Sequence, residues 1–498
     1  MSVFKDLSKH TLIYGVGIVL SRAAGFFMIP IYTRFLAPKD YGTLELLDLF
    51  AYVIGILVAM AIRSAVNRFY YDSEDEGERR KIIVTAFLSS TAVSLAVVGL
   101  MLPFEESISY LIFQSREFGG LVGIVLLTFW VNTTAEIGFV HLQARQKSAL
   151  YAVLSVAKLV VSLALNIYFL VILRMGVEGI LISGLISGGL FAVIMTRRIL
   201  GAGETEFSMP ALTAMLKYGL PLVPASLATY VLHFSDRFFL ERLASLDDVG
   251  IYSLGYKFGM VFTALMTGPF ISIWVPKRYE IAKNQDARDI YRRAYTYFNL
   301  FICFGALGLS AFSRELVEFV ADPAYQAGWQ VIPLVTFAYV FDSWIYHFNT
   351  GFHLGKKTTA IAWLNIASAG ANLVLNYFLI RQWGGMGAAL ATLATFGIKS
   401  AMYYVAARRT WDVDFAIGKN LRAFGAAALL VAAALVVPPG WGAWSWAAKS
   451  LLVLSYPAWL LVLGCLEWAE ARALWTAGWN ALMVRVGFAV RDGGRATL

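Results

Sequence analysis

The chain has 498 residues, of which 59% are hydrophobic and only 15% are charged, and its net charge is +9. A soluble chain would carry roughly a quarter charged residues, so this composition excludes a soluble protein and predicts a polytopic membrane protein. The basic residues lie between apolar stretches, where the positive-inside rule explains them without a nucleic-acid partner. The two cysteines, Cys303 and Cys465, are too few for a disulfide framework or a Cys-rich metal site.

Fourteen apolar segments are long enough to cross a bilayer, which takes about 20 residues each. All connections are short, and the longest, 197–216, leaves no room for a soluble domain. The predicted fold class is therefore an all-α polytopic membrane protein with 14 transmembrane helices. The predicted limits are 11–36, 41–67, 82–102, 118–141, 149–173, 177–196, 217–240, 249–275, 294–312, 329–353, 358–380, 386–407, 421–438 and 446–466.

The tail, residues 467–498, is too polar to span the membrane. Trp468, Trp475 and Trp479 recur at helical spacing, which predicts an amphipathic helix in the cytoplasmic interface. An irregular tail is the alternative.

Lysine and arginine indicate the orientation. Of the 35 Lys and Arg residues in the tails, in the connections or near the ends of the spans, 27 lie on the side that holds both termini. The positive-inside rule therefore predicts that both termini are cytoplasmic. The eight on the other side are Arg34, Lys39, Arg116, Arg174, Arg242, Arg314, Arg381 and Lys449.

Three short motifs recur at an offset of about 210 residues, one of them being 35–42 and 242–250, which end in Gly42 and Gly250. The clearest pair is Leu165–Leu170 and Leu375–Leu379, each centred on an asparagine and followed by a Gly-rich turn. Because both copies start from the cytoplasm, they predict two six-helix lobes related by a pseudo-twofold axis along the membrane normal. The predicted units are an N-lobe at 1–205, a C-lobe at 206–412, two extra helices at 413–466 and the tail at 467–498.

Eleven charged residues lie inside the predicted spans, where each costs a few kcal/mol unless it is paired or faces water. They predict a polar, slightly cationic path through the protein, in which we expect Arg22, Lys158, Arg237 and Lys257 to face water between the lobes. The cations are Arg22, Arg63, Lys158, Arg237, Lys257 and Lys399; the acids are Glu45, Asp48, Glu136, Asp236 and Asp342. No nucleophile constellation or metal-ligand spacing is present, so neither an enzyme nor a metal or other cofactor is predicted.

Several motifs resemble the polysaccharide transporter family of the multidrug/oligosaccharidyl-lipid/polysaccharide (MOP) flippase superfamily. The resemblance covers nearly the whole chain. It implies two lobes around a central cavity that opens alternately to either side. The motifs are Ser21-Arg22, Gly25-Phe26, Asp40-Tyr41-Gly42, Arg68-Phe69-Tyr70, Asp236-Arg237-Phe238-Phe239-Leu240, Val249-Gly250-Ile251-Tyr252 and Lys257.

The resemblance implies a flippase that moves undecaprenyl-diphosphate-linked oligosaccharide, an O-antigen, capsule or exopolysaccharide unit, from the inner to the outer leaflet of the bacterial cytoplasmic membrane. H⁺ or Na⁺ is the candidate coupling ion, and polysaccharide polymerase machinery is a candidate partner. Within the superfamily, a lipid II flippase or a multidrug/cation antiporter is the alternative. Outside the superfamily, the alternative is a membrane glycan polymerase or ligase. The small predicted outer loops argue against this alternative.

Each intramembrane charge has a ligand and a structural interpretation. Arg22 lies about 17 Å into its span at 1.5 Å per residue. It is either a bidentate phosphate ligand or the partner of Glu45 or Asp48. Glu45 and Asp48 share a helix face and are cation partners or a proton-coupling site. Arg63 binds substrate or snorkels to the cytoplasmic surface.

The remaining charges have similar alternatives. Asp236, Arg237 and Lys257 form an ion-pair cluster or a ligand site. Lys158 has no acid at helical spacing, and Asp342 is its candidate partner across the lobes. The resemblance places the span that carries Lys399 at the periphery. Glu136 lies toward the cytoplasmic end of its predicted span.

Overall fold

A computed structural model describes residues 25–201, 203, 205–409, 411, 413–470 and 472. Its regular structure over these residues is entirely helical, and twelve helices are long and apolar enough to cross a membrane. The predicted fold class is confirmed. The count of fourteen stays a prediction, because most of the first predicted span lies outside the described residues. Most of the predicted tail also lies outside them, so its amphipathic helix stays a prediction.

The first half of the chain begins with a short helix that leads into the second predicted span. Kinks and short connections divide several spans into two helices. The helices are α1 (Ile29–Phe35), α2 (Pro38–Val58), α3 (Met60–Asp72), α4 (Glu76–Met101), α5 (Glu105–Phe113), α6 (Gly119–Ala144), α7 (Ser148–Ile167) and α8 (Gly176–Leu200).

The second half follows the same plan and continues into two further spans. The helices are α9 (Met209–Gly219), α10 (Val223–Leu243), α11 (Leu246–Phe262), α12 (Gly268–Ile281), α13 (Ala287–Ala311), α14 (Ser313–Val320), α15 (Val331–Phe348), α16 (Thr350–Leu354), α17 (Thr358–Arg408), α18 (Ile417–Val436) and α19 (Ala443–Val462).

The long helix α17 is two spans joined by a sharp reversal. Trp383 and Gly384 have non-helical backbone angles, and Gly384 has a φ of 51°, which glycine adopts without a Cβ penalty. The two arms lie side by side. A hydrogen bond joins them, in which the Tyr403 hydroxyl donates to the carbonyl oxygen of Ile361 at 3.3 Å. The break between the predicted spans 358–380 and 386–407 is therefore confirmed.

Most helices pack on others of the same half. In the first half α6 packs on α4 and α8, and in the second half α17 packs on α10 and α15. The last two spans join the second half, since α18 packs on α13 and α19 on α18. The main exceptions among the described helices are the crossing of α2 with the second half, described next, and α9, which follows the predicted lobe boundary in the chain but packs on α3 and α4 of the first half.

Contact between the halves is made chiefly by α2, which crosses α10 and α11. At the crossing with α11, Gly42 faces Gly250 so closely that a Cβ on either residue would overlap backbone atoms of the other helix. Small residues allow helix backbones to approach in this way in membranes. The two glycines belong to corresponding motifs of the internal repeat, so the same residue type closes the interface from both sides.

Candidate functional site

The Gly42–Gly250 crossing lies at the end of the helices that the charge pattern predicts to be extracytoplasmic, called the outer end below. Two further contacts join the halves there. The Tyr325 hydroxyl donates to the Leu36 carbonyl oxygen at 3.0 Å, and the Asp322 backbone N–H donates to the Thr33 hydroxyl at 3.3 Å. Backbone and side-chain contacts therefore hold the outer end closed.

On the cytoplasmic side of this closed outer end, the Lys257 side chain of α11 extends to α2. Its Nζ lies 3.0 Å from a Glu45 carboxylate oxygen and donates to the Tyr41 hydroxyl at 2.7 Å. The Lys257 side chain is 36% exposed and that of Glu45 is 14% exposed. The ammonium group thus joins the two halves of the chain while one side of it remains open to a cavity.

That cavity measures about 580 Å³ and lies largely within the first half of the chain. Of its lining residues, Ser226 and Lys257 come from the second half. Four lining residues are charged: Asp48, Arg63, Glu136 and Lys257. Eight more carry hydroxyl or amide groups, namely Tyr32, Tyr52, Thr128, Asn132, Thr133, Ser162, Asn166 and Ser226.

A second ion pair lies on the cavity wall nearer the predicted cytoplasmic end. Arg63 of α3 and Glu136 of α6 form a hydrogen-bonded pair, and their side chains are 48% and 40% exposed. Lys158 of α7 approaches the same wall and donates to the Asn132 side-chain oxygen at 2.8 Å. The cavity therefore presents Arg63 directly and holds Lys158 behind an amide that lines it.

The charge balance of the cavity differs from the expected cationic excess. Among the described lining residues two cations, Arg63 and Lys257, face two carboxylates, Asp48 and Glu136. The predicted excess therefore rests on Arg22, which lies outside the described residues. Asp48 is exposed and has no ion pair with any described residue, whereas Glu45 is held by Lys257.

The prediction that Arg237 faces water is wrong. Its side chain is 1% exposed and lies 2.7 Å from an Asp236 carboxylate oxygen. The Tyr252 hydroxyl donates to the same carboxylate, and the guanidinium lies 3.9 Å from the centre of the Tyr256 ring. This enclosed cluster favours the structural ion-pair interpretation of Asp236 and Arg237, because the tyrosines occupy the positions a ligand would need.

The predicted pairing of Asp342 with Lys158 is also wrong. Asp342 accepts a hydrogen bond from Lys399 at 2.9 Å, and both residues belong to the second half. Their side chains are 18% and 9% exposed, so Lys399 is enclosed among its own helices. Neither residue lines the cavity of about 580 Å³.

Charge counting did not find the neutral polar residues of the cavity, such as Asn132 and Tyr52. Asn166 carried a sequence signal, because it is the centre of the repeated motif. Its counterpart Asn376 is fully buried and donates to Asn372 at 2.9 Å, whereas Asn166 lines the cavity. The same motif thus faces the cavity in the first half and forms an internal hydrogen-bond network in the second.

Among the described residues there is no cluster of three or more histidine, cysteine or acidic side chains suited to a metal ion. What the cavity offers a ligand is hydrogen-bonding groups, two ion pairs and the carboxylate of Asp48.

Comparison with known proteins adds the following findings. A family model described as polysaccharide biosynthesis protein matches residues 7–277. The Lsg locus putative protein 1 of Haemophilus influenzae is 23% identical over 291 residues, which are 57% of this chain and 68% of that protein. The probable low-salt glycan biosynthesis flippase Agl15 of Haloferax volcanii is 19% identical over 409 residues, 80% of this chain and 83% of that protein.

Solved structures share the fold. The lipid II flippase MurJ in an inward closed conformation matches 90% of this chain and 99% of its own, with a TM-score of 0.73 and 15% identity. An inward-facing multidrug resistance MATE family transporter of the MOP superfamily matches 78% of this chain and 94% of its own, with a TM-score of 0.63 and 13% identity. At such identities the likeness shows the fold alone.

Proposed function

Since this chain belongs to the polysaccharide biosynthesis protein family, and the proteins it resembles include the probable flippase Agl15 and the lipid II flippase MurJ, we propose that it moves a lipid-linked oligosaccharide across the membrane. The substrate we propose is an undecaprenyl-diphosphate-linked glycan. We propose transport from the inner to the outer leaflet of a bacterial cytoplasmic membrane, with both termini of the chain facing the cytoplasm.

The observation that carries this proposal is the polar cavity between α2, α3, α6 and the second half. A diphosphate and its sugars cannot cross roughly 30 Å of hydrocarbon unaided, because each polar group would lose its hydrogen bonds to water. The cavity supplies hydroxyl, amide and charged partners at that depth. Its volume of about 580 Å³ lies within the range of about 300–1,000 Å³ that is usual for ligand sites.

In our proposal the carboxylates of the cavity's ion pairs occupy the positions that the substrate's phosphates take when it binds. Lys257 and Arg63 are partnered by Glu45 and Glu136 in this conformation. A diphosphate that enters replaces these carboxylates as the partner of the cations, and guanidinium is suited to bidentate contact with phosphate. Arg22 is the third proposed phosphate ligand, on the resemblance of its motif.

This exchange gives a physical route to ion coupling. A carboxylate that loses its cation inside the membrane is costly until it takes up H⁺ or binds Na⁺. Glu45 and Glu136 are the carboxylates released in our proposal, and Asp48 already faces the cavity without an ion pair to a described residue. Uptake of the substrate and uptake of a cation would then favour the same conformation.

The geometry of the outer end supports alternating access. The Gly42–Gly250 crossing closes the outer end, and the exposed Arg63–Glu136 pair lies toward the predicted cytoplasmic end. Substrate would enter from the cytoplasmic side in this conformation. Separation of α2 from α11 would then open the cavity outward, while the lipid tail remains in the bilayer.

The test is deletion of the protein in its own host. We expect surface polysaccharide to be lost and a single lipid-linked oligosaccharide to accumulate, identified by mass spectrometry of the lipid extract. Complementation with Arg63→Ala is expected to restore at most about a tenth of the polysaccharide, because a charge-assisted hydrogen bond is worth about 1.5–3 kcal/mol. Lys399→Gln with Asp342→Asn, a pair outside the cavity, is the control and is expected to complement.

A deletion strain with normal surface polysaccharide and no accumulated lipid-linked glycan would contradict the proposal. So would full complementation by Arg63→Ala at normal protein levels, since Arg63 would then be only a surface anchor.

A further inference from the structure

A second cavity lies apart from the first, at the predicted cytoplasmic end of the first half. It measures about 440 Å³ and is formed where α4 begins and where α6 and α8 end. Among the described lining residues, one carboxylate, that of Glu76, faces five cations. The cations are Arg79, Arg80, Arg145, Lys147 and Arg198.

The single carboxylate cannot neutralise this cluster. Glu76 is shared by Arg145 at 2.5 Å and Arg79 at 3.2 Å. Lys147 and Arg198 have no ion pair or side-chain hydrogen bond with any described residue, although both line the cavity. A local excess of positive charge therefore remains around a space large enough for a small ligand.

One residue of this lining also has a buried polar atom without a hydrogen-bond partner among the described residues. This atom is the Nδ1 of His141. The ring lies against Tyr70 at a centroid distance of 6.4 Å, in an edge-on arrangement that fixes its orientation. An imidazole held in this way is able to donate a hydrogen bond to an anion between the arginines.

General effects explain part of this pattern. Arg198 and Arg145 lie at the ends of α8 and α6, where cations stabilise a helix C-terminus, and basic residues on this side orient the chain. These effects act on each cation separately and do not require a cavity. They leave the convergence of five cations and an unpartnered imidazole on one cavity without an explanation.

We propose that this cavity binds a phosphate group from the cytoplasmic side. The fork of an arginine matches phosphate oxygens bidentately, and basic pockets at the cytoplasmic ends of membrane helices bind anionic head groups. The group belongs either to the head of an anionic lipid or to a free polyphosphate. The site is separate from the translocation cavity, and its occupancy does not depend on the function proposed above.

The experiment uses the full chain with two probes. Inorganic pyrophosphate is titrated into detergent-purified protein by calorimetry, and retention of phosphatidylglycerol is measured by native mass spectrometry of protein released from phosphatidylcholine nanodiscs that also contain phosphatidylglycerol. The test variant is Lys147→Ala with Arg198→Ala. The control is Arg197→Ala with Lys357→Ala, which removes two cations from the same predicted side without touching the lining.

For whichever probe binds the wild type, we expect each cation removed in the test variant to lower the affinity about tenfold or more. This is the loss expected when a charge-assisted hydrogen bond is removed. The control is expected to lose less than about fivefold, as for exposed charges. Binding of phosphatidylglycerol alone identifies a lipid head group, and binding of pyrophosphate alone identifies a free polyphosphate. Binding of both shows that the phosphate group itself is recognised. Equal affinities of the test and control variants for both probes, or binding of neither probe to the wild type, would overturn the proposal.

Discussion

Replacement of Gly42 and Gly250 by alanine is expected to lower glycan translocation by more than about tenfold. A Cβ at Gly42 would overlap the Leu246 carbonyl oxygen, and one at Gly250 would overlap the Pro38 carbonyl oxygen. Because these are backbone atoms, no side chain can move aside, and the helices must separate. Overpacking of this kind costs about 1–3 kcal/mol, and each 1.4 kcal/mol shifts an equilibrium about tenfold.

The separation would favour an outward-open conformation, which cannot take up substrate from the cytoplasm. A cysteine at Ala51, which lines the cavity, reports this change. We expect an impermeant thiol reagent added outside to label Ala51→Cys faster in the glycine variants, over a low background because Cys303 and Cys465 are buried. Gly99→Ala, where nothing lies within 4 Å of the new Cβ, is the control. Wild-type labelling and transport in the double variant would show that this crossing does not gate the cavity.

The second large effect is expected from Lys257. Lys257→Gln alone leaves the Glu45 carboxylate without its partner, which costs at most about 3–5 kcal/mol, the figure for a fully buried pair. We therefore expect less folded protein and no transport. This single variant does not separate a structural role from a ligand role, because both predict failure.

Lys257→Gln with Glu45→Gln separates them. Two amides can hydrogen-bond across the same interface, so the double variant is expected to recover the thermal stability of the wild type to within a few degrees. Transport is expected to stay about tenfold or more below wild type, since the diphosphate loses a charge-assisted hydrogen bond. Stability is read from a thermal unfolding curve and transport from surface polysaccharide at matched protein levels. Recovery of both would show that Lys257 serves only as an ion-pair partner.

The sequence allowed the apolar spans and the glycine turns between them to be predicted. The turn at Gly384 could be predicted because two apolar segments meet at a Gly-rich stretch. The Gly42 and Gly250 motifs could be recognised as copies of one another. Their contact could not be predicted, because a parallel repeat relates the two segments without specifying which conformation brings them together.

Ion-pair partners could be predicted only in part. Depth in the membrane made Asp342 a candidate partner for Lys158, but depth does not specify which side of a helix a residue faces. The side is set by packing: α15 contacts α17, which carries Lys399, so Asp342 finds its partner there. Arg237 shows the same limit, because aromatic residues of α11 enclose it at a depth where water was expected.

The neutral residues of the cavity were missed for a different reason. Asn132 and Ser162 cost little in a membrane helix and leave no charge signal in the sequence. They matter because α6 and α7 turn them toward the same space, which only the packed structure specifies. A substrate rich in hydroxyl groups would depend on such residues as much as on the cations.

The most direct measurement of the central claim is translocation by purified protein in proteoliposomes. The vesicles carry the accumulated lipid-linked glycan in one leaflet, and an impermeant glycosidase added to the opposite side reports its arrival. We predict that the wild-type protein exposes the glycan to the enzyme, and that Lys257→Gln with Glu45→Gln does so about tenfold or more slowly. A wild-type protein that leaves the glycan in its original leaflet, while carrying a cationic dye across the same membrane, would contradict the account.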